Sequence, residues 1–87
     1  AEQTARAVRD SGRRAAVLQA DLSRPDARAA VVEATVSALG RLDVLINMAS
    51  IYRAIPFDEL TLDAWEGQLS VDLRAAYLCS RAAVGPM

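Results

Sequence analysis

Gly40-Arg41-Leu42-Asp43-Val44-Leu45-Ile46-Asn47-Met48-Ala49-Ser50 is the stretch from which the architecture is read. A glycine closes a helical pattern, a short apolar run follows from Leu42 to Asn47, and small or polar residues end it. The run is too short for a helix and nearly continuous in its apolar character. It has the pattern of a strand covered on both faces. Upstream, Ala15-Ala16-Val17-Leu18-Gln19-Ala20 repeats the pattern and ends at Asp21.

Helical spacing fills the intervals. Residues 2–10 read as a helix with Ala5 and Val8 on its apolar face, stopped at Ser11-Gly12, where glycine takes the left-handed conformation of a helix end. Ser23-Arg24-Pro25-Asp26 reads as a helix start, with Ser23 as cap, Pro25 in the first turn and Asp26 completing a Ser-x-x-Asp capping box. Ala27, Val31, Ala34 and Ala38 recur at helical spacing until Gly40. A loop passes through Pro56, and Thr61 caps a long helix that runs to about Val84 before Gly85-Pro86. The order helix, strand, helix, strand, helix predicts an α/β fold with parallel strands joined by crossover helices. Such sheets bind ligands at the C-terminal ends of their strands. Those ends are Asp21-Leu22 and Asn47 to Ser50.

Composition excludes several functions. The 87 residues make one small domain at most, 53% hydrophobic and only 5% aromatic, a mixture suited to helices packed on a sheet. Ten basic and eleven acidic residues leave a net charge of −1, without the clustered basic surplus of a nucleic-acid binder. One cysteine and no histidine supply neither a disulfide framework nor a zinc site. Cys79 is expected to be a small buried hydrophobe. No apolar run reaches the length of a membrane span, and the start is not a signal peptide; a cytoplasmic location is expected. The chain opens Ala1-Glu2-Gln3-Thr4, already within a helical pattern. An internal piece of a longer domain is expected, lacking both ends.

Gln19-Ala20-Asp21-Leu22-Ser23 followed by Gly40 to Ser50 resembles the third and fourth strands of the short-chain dehydrogenase/reductase family. Trp65, Val71-Asp72-Leu73 and the alanine-rich helix ending near Gly85-Pro86-Met87 extend the likeness over nearly the whole chain. The resemblance implies part of a Rossmann-like, doubly wound parallel sheet and an NAD- or NADP-dependent oxidoreductase acting on a carbonyl or alcohol. It also implies a strand order that sets the first and second strands between the two found here.

The resemblance assigns Asp21 and Leu22 to the adenine end of the cofactor. A carboxylate accepts from the exocyclic amine, and the following backbone N–H donates to a ring nitrogen. The plainer reading of Asp21 is a turn residue that helps to cap the next helix. Asn47 matches the first position of the family's Asn-Asn-Ala-Gly segment, where its amide ties structure together beside the cofactor, or it is a turn residue. Ala49 stays small where the backbone approaches the ribose. Met48 replaces the second asparagine and loses its hydrogen bonds. Ser50 replaces glycine and removes some backbone freedom.

Asp72 is unusual on physical grounds. Trp65, Leu69, Asp72, Ala76, Cys79 and Ala83 follow steps of four and three, which puts a carboxylate in an apolar stripe, where it is costly without a partner. The family commonly carries an asparagine here that holds a water in the proton relay, so the resemblance implies a catalytic role for Asp72. The alternatives are a pair with Arg74 or an interface arginine, or a stripe less buried than the spacing implies.

The family's tyrosine and lysine four residues later are not among these residues. Tyr77 and Arg81 have the spacing, but arginine does not replace lysine in lowering a tyrosine pKa, and the pair comes too early in the family order. Ile51, Tyr52, Ile55 and Phe57 either form an apolar wall of a substrate pocket or simply pack their loop. Met48 and Asp72 leave a second function open: a non-catalytic dinucleotide-binding or interaction protein of the same fold. The long helix permits a homo-oligomer.

Overall fold

The computed structural model describes residues 1–87 and is helical wherever its backbone is regular. Helix α1 spans Glu2–Asp10 and α2 spans Pro25–Leu39; a 3-10 turn at Phe57–Glu59 precedes α3, Leu62–Leu69, and α4 covers Ala75–Val84. Between α3 and α4, Ser70–Arg74 winds as a π turn, so the expected long helix is continuous but changes pitch near its middle.

Several local signals act as their chemistry dictates. Gly12 and Gly40 sit at φ 84° and 88°, a region closed to most side chains, and Gly40 N–H returns to the Val36 carbonyl at 2.8 Å. Pro25 occupies the first turn of α2. Thr61 caps α3 by accepting from Ala64 N–H at 3.2 Å. The capping box at Ser23 does not form. Arg24, one residue later, is the cap residue of α2 and supplies no side-chain bond; the Ser23 hydroxyl instead donates back to Asp21 at 2.6 Å, and Asp26 meets exposed Arg24 at 3.4 Å.

The expected strands, 15–20 and 42–47, form no ladder. All backbone–backbone bonds lie within helices, turns and caps, and none involves either segment. A strand is defined by its pairing, and neither segment finds a partner within residues 1–87. The parallel-sheet slice is therefore absent from this structure. Its apolar pattern persists as bare surface: Val44, Ile46 and Met48, spaced by two, are 71, 72 and 82% exposed.

The core is correspondingly thin. Six residues are buried: Ala5, Arg28, Val32, Ala75, Cys79 and Ala83. It lies where α2 packs against α4, with Arg28 and Val32 facing a small-residue stripe of Ala75, Cys79 and Ala83. Cys79 is buried, as expected. The buried line of α2 is not the predicted Ala27-Val31-Ala34-Ala38 line, whose first three members are half-buried and whose last is exposed. The radius of gyration is 15.4 Å, against about 12 Å for a self-contained globule of this length. Large apolar side chains are left uncovered, among them Val44, Ile46, Leu62, Leu73 and Val84.

Candidate functional site

The loop after residues 15–20 turns tightly through Asp21. Oδ1 of Asp21 accepts from the Ser23 N–H at 3.0 Å and from the Ser23 hydroxyl at 2.6 Å, and the Asp21 carbonyl accepts from Arg24 N–H at 3.0 Å. This is a side-chain-closed turn of the kind aspartate favours. The Ser23 hydroxyl and amide hold the Asp21 carboxyl below the ordinary carboxylate range. Asp21 is exposed, its Oδ2 meets no donor in the chain, and the Leu22 N–H makes no hydrogen bond.

Residues 47–51 lie along the long helix, pinned at both ends. Asn47 Nδ2 donates to the Ser80 hydroxyl at 3.3 Å, and Ile51 N–H donates to Asp72 Oδ1 at 3.2 Å. Four residues of extended chain cover about 13 Å, and the eight from Ser80 back to Asp72 rise about 12 Å in a helix. The two lengths match, so the segment runs extended and antiparallel to the helix. Asp72 stands within the π turn, where Ala75 N–H reaches the Ser70 carbonyl five residues back. Turns of this kind recur at functional sites.

The π turn also corrects the expected position of Asp72. Of the expected stripe, Cys79 and Ala83 are buried, beside Ala75, while Asp72 is exposed and Trp65 is 48% exposed; the stripe is less buried than the spacing implies, one of the alternatives left open for Asp72. Asp72 is thus no buried acid in an apolar stripe. It is not paired with Arg74 either; its partner is the backbone amide of Ile51.

Leu22, Asn47, Ala49 and Asp72 line one hollow of about 190 Å³, with Val31, Val71 and Cys79 among its apolar walls. Asp21 borders the neighbouring hollow, shared with Leu18, Arg24 and Val31. Ser50 lines neither. Met48, where the resemblance expects an amide, reaches the rim of the first hollow with 82% of its surface exposed. Of the residues expected at a substrate wall, Tyr52 and Ile55 line a third hollow with Arg53 and Gln68, and Ile51 joins Ile55 along a fourth. Phe57 is 91% exposed in its 3-10 turn and lines none of them.

Arg28, Ser70 and Ser80 carried no signal in the sequence. Arg28 is 2% exposed and binds the Leu22 carbonyl through Nε at 2.7 Å. An arginine within a helix reads as solvent-facing, and only its place four residues before Val32 on an Ala- and Val-rich helix hints otherwise.

The family model for short chain dehydrogenase matches residues 1–87. An uncharacterized oxidoreductase, YohF, of Escherichia coli is 38% identical over 87 residues, all of this chain and 34% of that protein. Cis-4-hydroxycyclohexanecarboxylate dehydrogenase of Sinomonas cyclohexanicum is 35% identical over 88 residues, 100% of this chain and 35% of that protein. A crystal structure of a Burkholderia cenocepacia short chain dehydrogenase in complex with NADP superposes with a TM-score of 0.94 at 37% identity, covering 99% of this chain and 35% of that one. The chain thus spans about a third of the length of the proteins it matches. With the match extending over every residue, from the Asp21 turn to the Asp72 helix, this chain belongs to the short-chain dehydrogenase family.

Proposed function

We propose that these residues are the adenine-side and helix-side part of an NAD(P)-dependent oxidoreductase that acts on a small carbonyl or alcohol. The observation that carries the reading is the convergence of Leu22, Asn47, Ala49 and Asp72 on one hollow. The chain's donors and acceptors fit part of a dinucleotide. Oδ2 of Asp21 and the N–H of Leu22 are uncommitted and adjacent, which suits the paired donor and acceptor of an adenine edge. Asn47, held on Ser80, and the small Ala49 keep the backbone close to a ribose; Ser50 borders the same segment. No Gly-x-Gly-x-x-Gly turn occurs in residues 1–87, so the pyrophosphate cradle belongs to other parts of the protein. A bound nicotinamide dinucleotide supplies the hydride.

Asp72 is assigned the role of orienting the 47–51 segment and accepting from a proton-bearing group at the helix. Its carboxylate already accepts from Ile51 N–H, and one oxygen remains for a second donor. Tyr52 and Ile55 are assigned to the substrate side. The isolated chain is inactive on this reading, because its two expected strands become a sheet only with partners from the rest of a Rossmann-like domain. The lone buried Cys79 fits a reducing compartment such as the cytoplasm. No helix is long and apolar enough to cross a membrane. The exposed Leu73, Tyr77 and Val84 of the long helix suit a homo-oligomer contact.

A non-catalytic dinucleotide-binding protein is the second reading, favoured by exposed Met48 and by Asp72 in place of an amide. Turnover separates the two. The full-length protein is assayed for oxidation of NADH and NADPH with a panel of small ketones and aldehydes. Turnover with either cofactor supports the enzyme, and cofactor binding without turnover on any substrate supports the second reading.

A further inference from the structure

Arg28 is the chain's buried charged residue, with 2% of its surface exposed. No carboxylate meets it, for neither ion pair of the chain includes it. A guanidinium taken out of water is costly unless its forked donors are satisfied. Neutral acceptors meet Nε and Nη2 here, drawn from two places 42 residues apart in sequence. Nε donates to the Leu22 carbonyl at 2.7 Å and Nη2 to the Ser23 carbonyl at 3.1 Å. Nη2 also donates to both the carbonyl and the hydroxyl of Ser70 at 3.3 Å. Ser70 opens the π turn that carries Asp72, and Leu22 and Ser23 form the loop that carries Asp21.

We propose that Arg28 is a positioning residue for the adenine half of the cofactor, a strut that fixes the Asp21–Ser23 loop against the π turn. The inference rests on the nucleotide-binding reading above and extends it to a residue that touches no nucleotide atom. Through the Leu22 and Ser23 carbonyls, Arg28 sets the attitude of the Leu22 N–H and the Asp21 carboxylate. Its Nε and Nη2 together meet four acceptors from one rigid plane, more than the three donors of a lysine ammonium can serve.

The test uses the full-length protein with Arg28→Lys, Arg28→Met and Ser70→Ala. Each is assayed with the dinucleotide the wild type uses and with reduced nicotinamide mononucleotide, which has no adenine half. For the Arg28 variants the KM for the dinucleotide should rise about tenfold while kcat falls less than about twofold, the signature of lost binding rather than lost chemistry. The mononucleotide KM should not change. Ser70→Ala, which keeps the backbone acceptor, should raise the dinucleotide KM by about twofold and remains informative where an Arg28 variant does not fold. An unchanged dinucleotide KM, or an equal loss with both cofactors, overturns the proposal. A wild type that neither binds nor turns over NADH or NADPH overturns the nucleotide reading and this inference with it; turnover by the wild type with insensitive variants overturns this inference alone.

Discussion

The Ile51 amide donates to Asp72 at 3.2 Å, and so joins a loop at the end of an expected strand to the middle of a π turn. Two helical turns further on, Asn47 meets Ser80. The pair of bonds lays a short extended segment along a helix with matched lengths. The position of Asp72 needs an acceptor for a backbone N–H, and an aspartate or an asparagine side chain supplies one.

Asp72→Asn in the full-length protein should therefore keep the Ile51 contact, with kcat within about threefold of wild type and an unchanged cofactor KM. Asp72→Ala removes the acceptor and leaves the Ile51 N–H without its partner. A fall in kcat of about tenfold or more is expected, equivalent to roughly 1.4 kcal/mol. Steady-state kinetics of the two variants check this, and equal losses in both would show that the carboxylate charge, not the acceptor, is required.

The Asp21 turn predicts a pH response. Donation from Ser23 lowers the Asp21 pKa below its ordinary 3.8. A depressed folded-state pKa contributes stability above the unfolded value, and that contribution is lost as pH falls through the folded one. Ser23→Ala removes the hydroxyl, the largest cause, and should move the Asp21 titration back up toward 3.8. Carboxyl NMR titration reads the shift directly. Because Asp21 is fully exposed, the accompanying change in stability should be small.

What was legible beforehand follows from the range of the interactions. Gly12, Gly40, Pro25 and Thr61 act through their own backbone or their nearest neighbours, and all four do what their chemistry implies. Ser23 misled because its amide and hydroxyl are both turned onto Asp21 in a side-chain-closed turn, and α2 begins one residue later, with Arg24 at the cap. The apolar runs at 15–20 and 42–47 marked strand-like segments correctly in character, yet a ladder needs a second strand that the runs cannot provide for themselves. The burial of Asp72 was not legible because a π turn leaves no periodic trace; Cys79 and Ala83 of the expected stripe are buried, while Asp72 at the turn is exposed. Arg28 was invisible because Ser70, 42 residues away, meets it only once the long helix packs against α2.

The thin core makes a prediction for the separate chain. Purified residues 1–87 should show helical circular dichroism but a broad, weakly cooperative thermal transition, since few side chains are buried and the Val44-Ile46-Met48 face is bare. Amide hydrogen exchange should show little protection at 42–47, whose N–H groups have no partners. A sharp two-state transition with protection across 42–47 would show that the segment pairs with a second copy of the chain.

Calorimetric titration of the full-length protein with NADH and NADPH, wild type beside Asp21→Ala, tests the central claim most directly. The account predicts saturable binding of at least one dinucleotide by the wild type. Loss of the carboxylate should weaken it by about tenfold, the scale of one charged hydrogen bond, with the fold intact by circular dichroism. Equal affinity in wild type and Asp21→Ala, or no binding of either dinucleotide by the wild type, would contradict it.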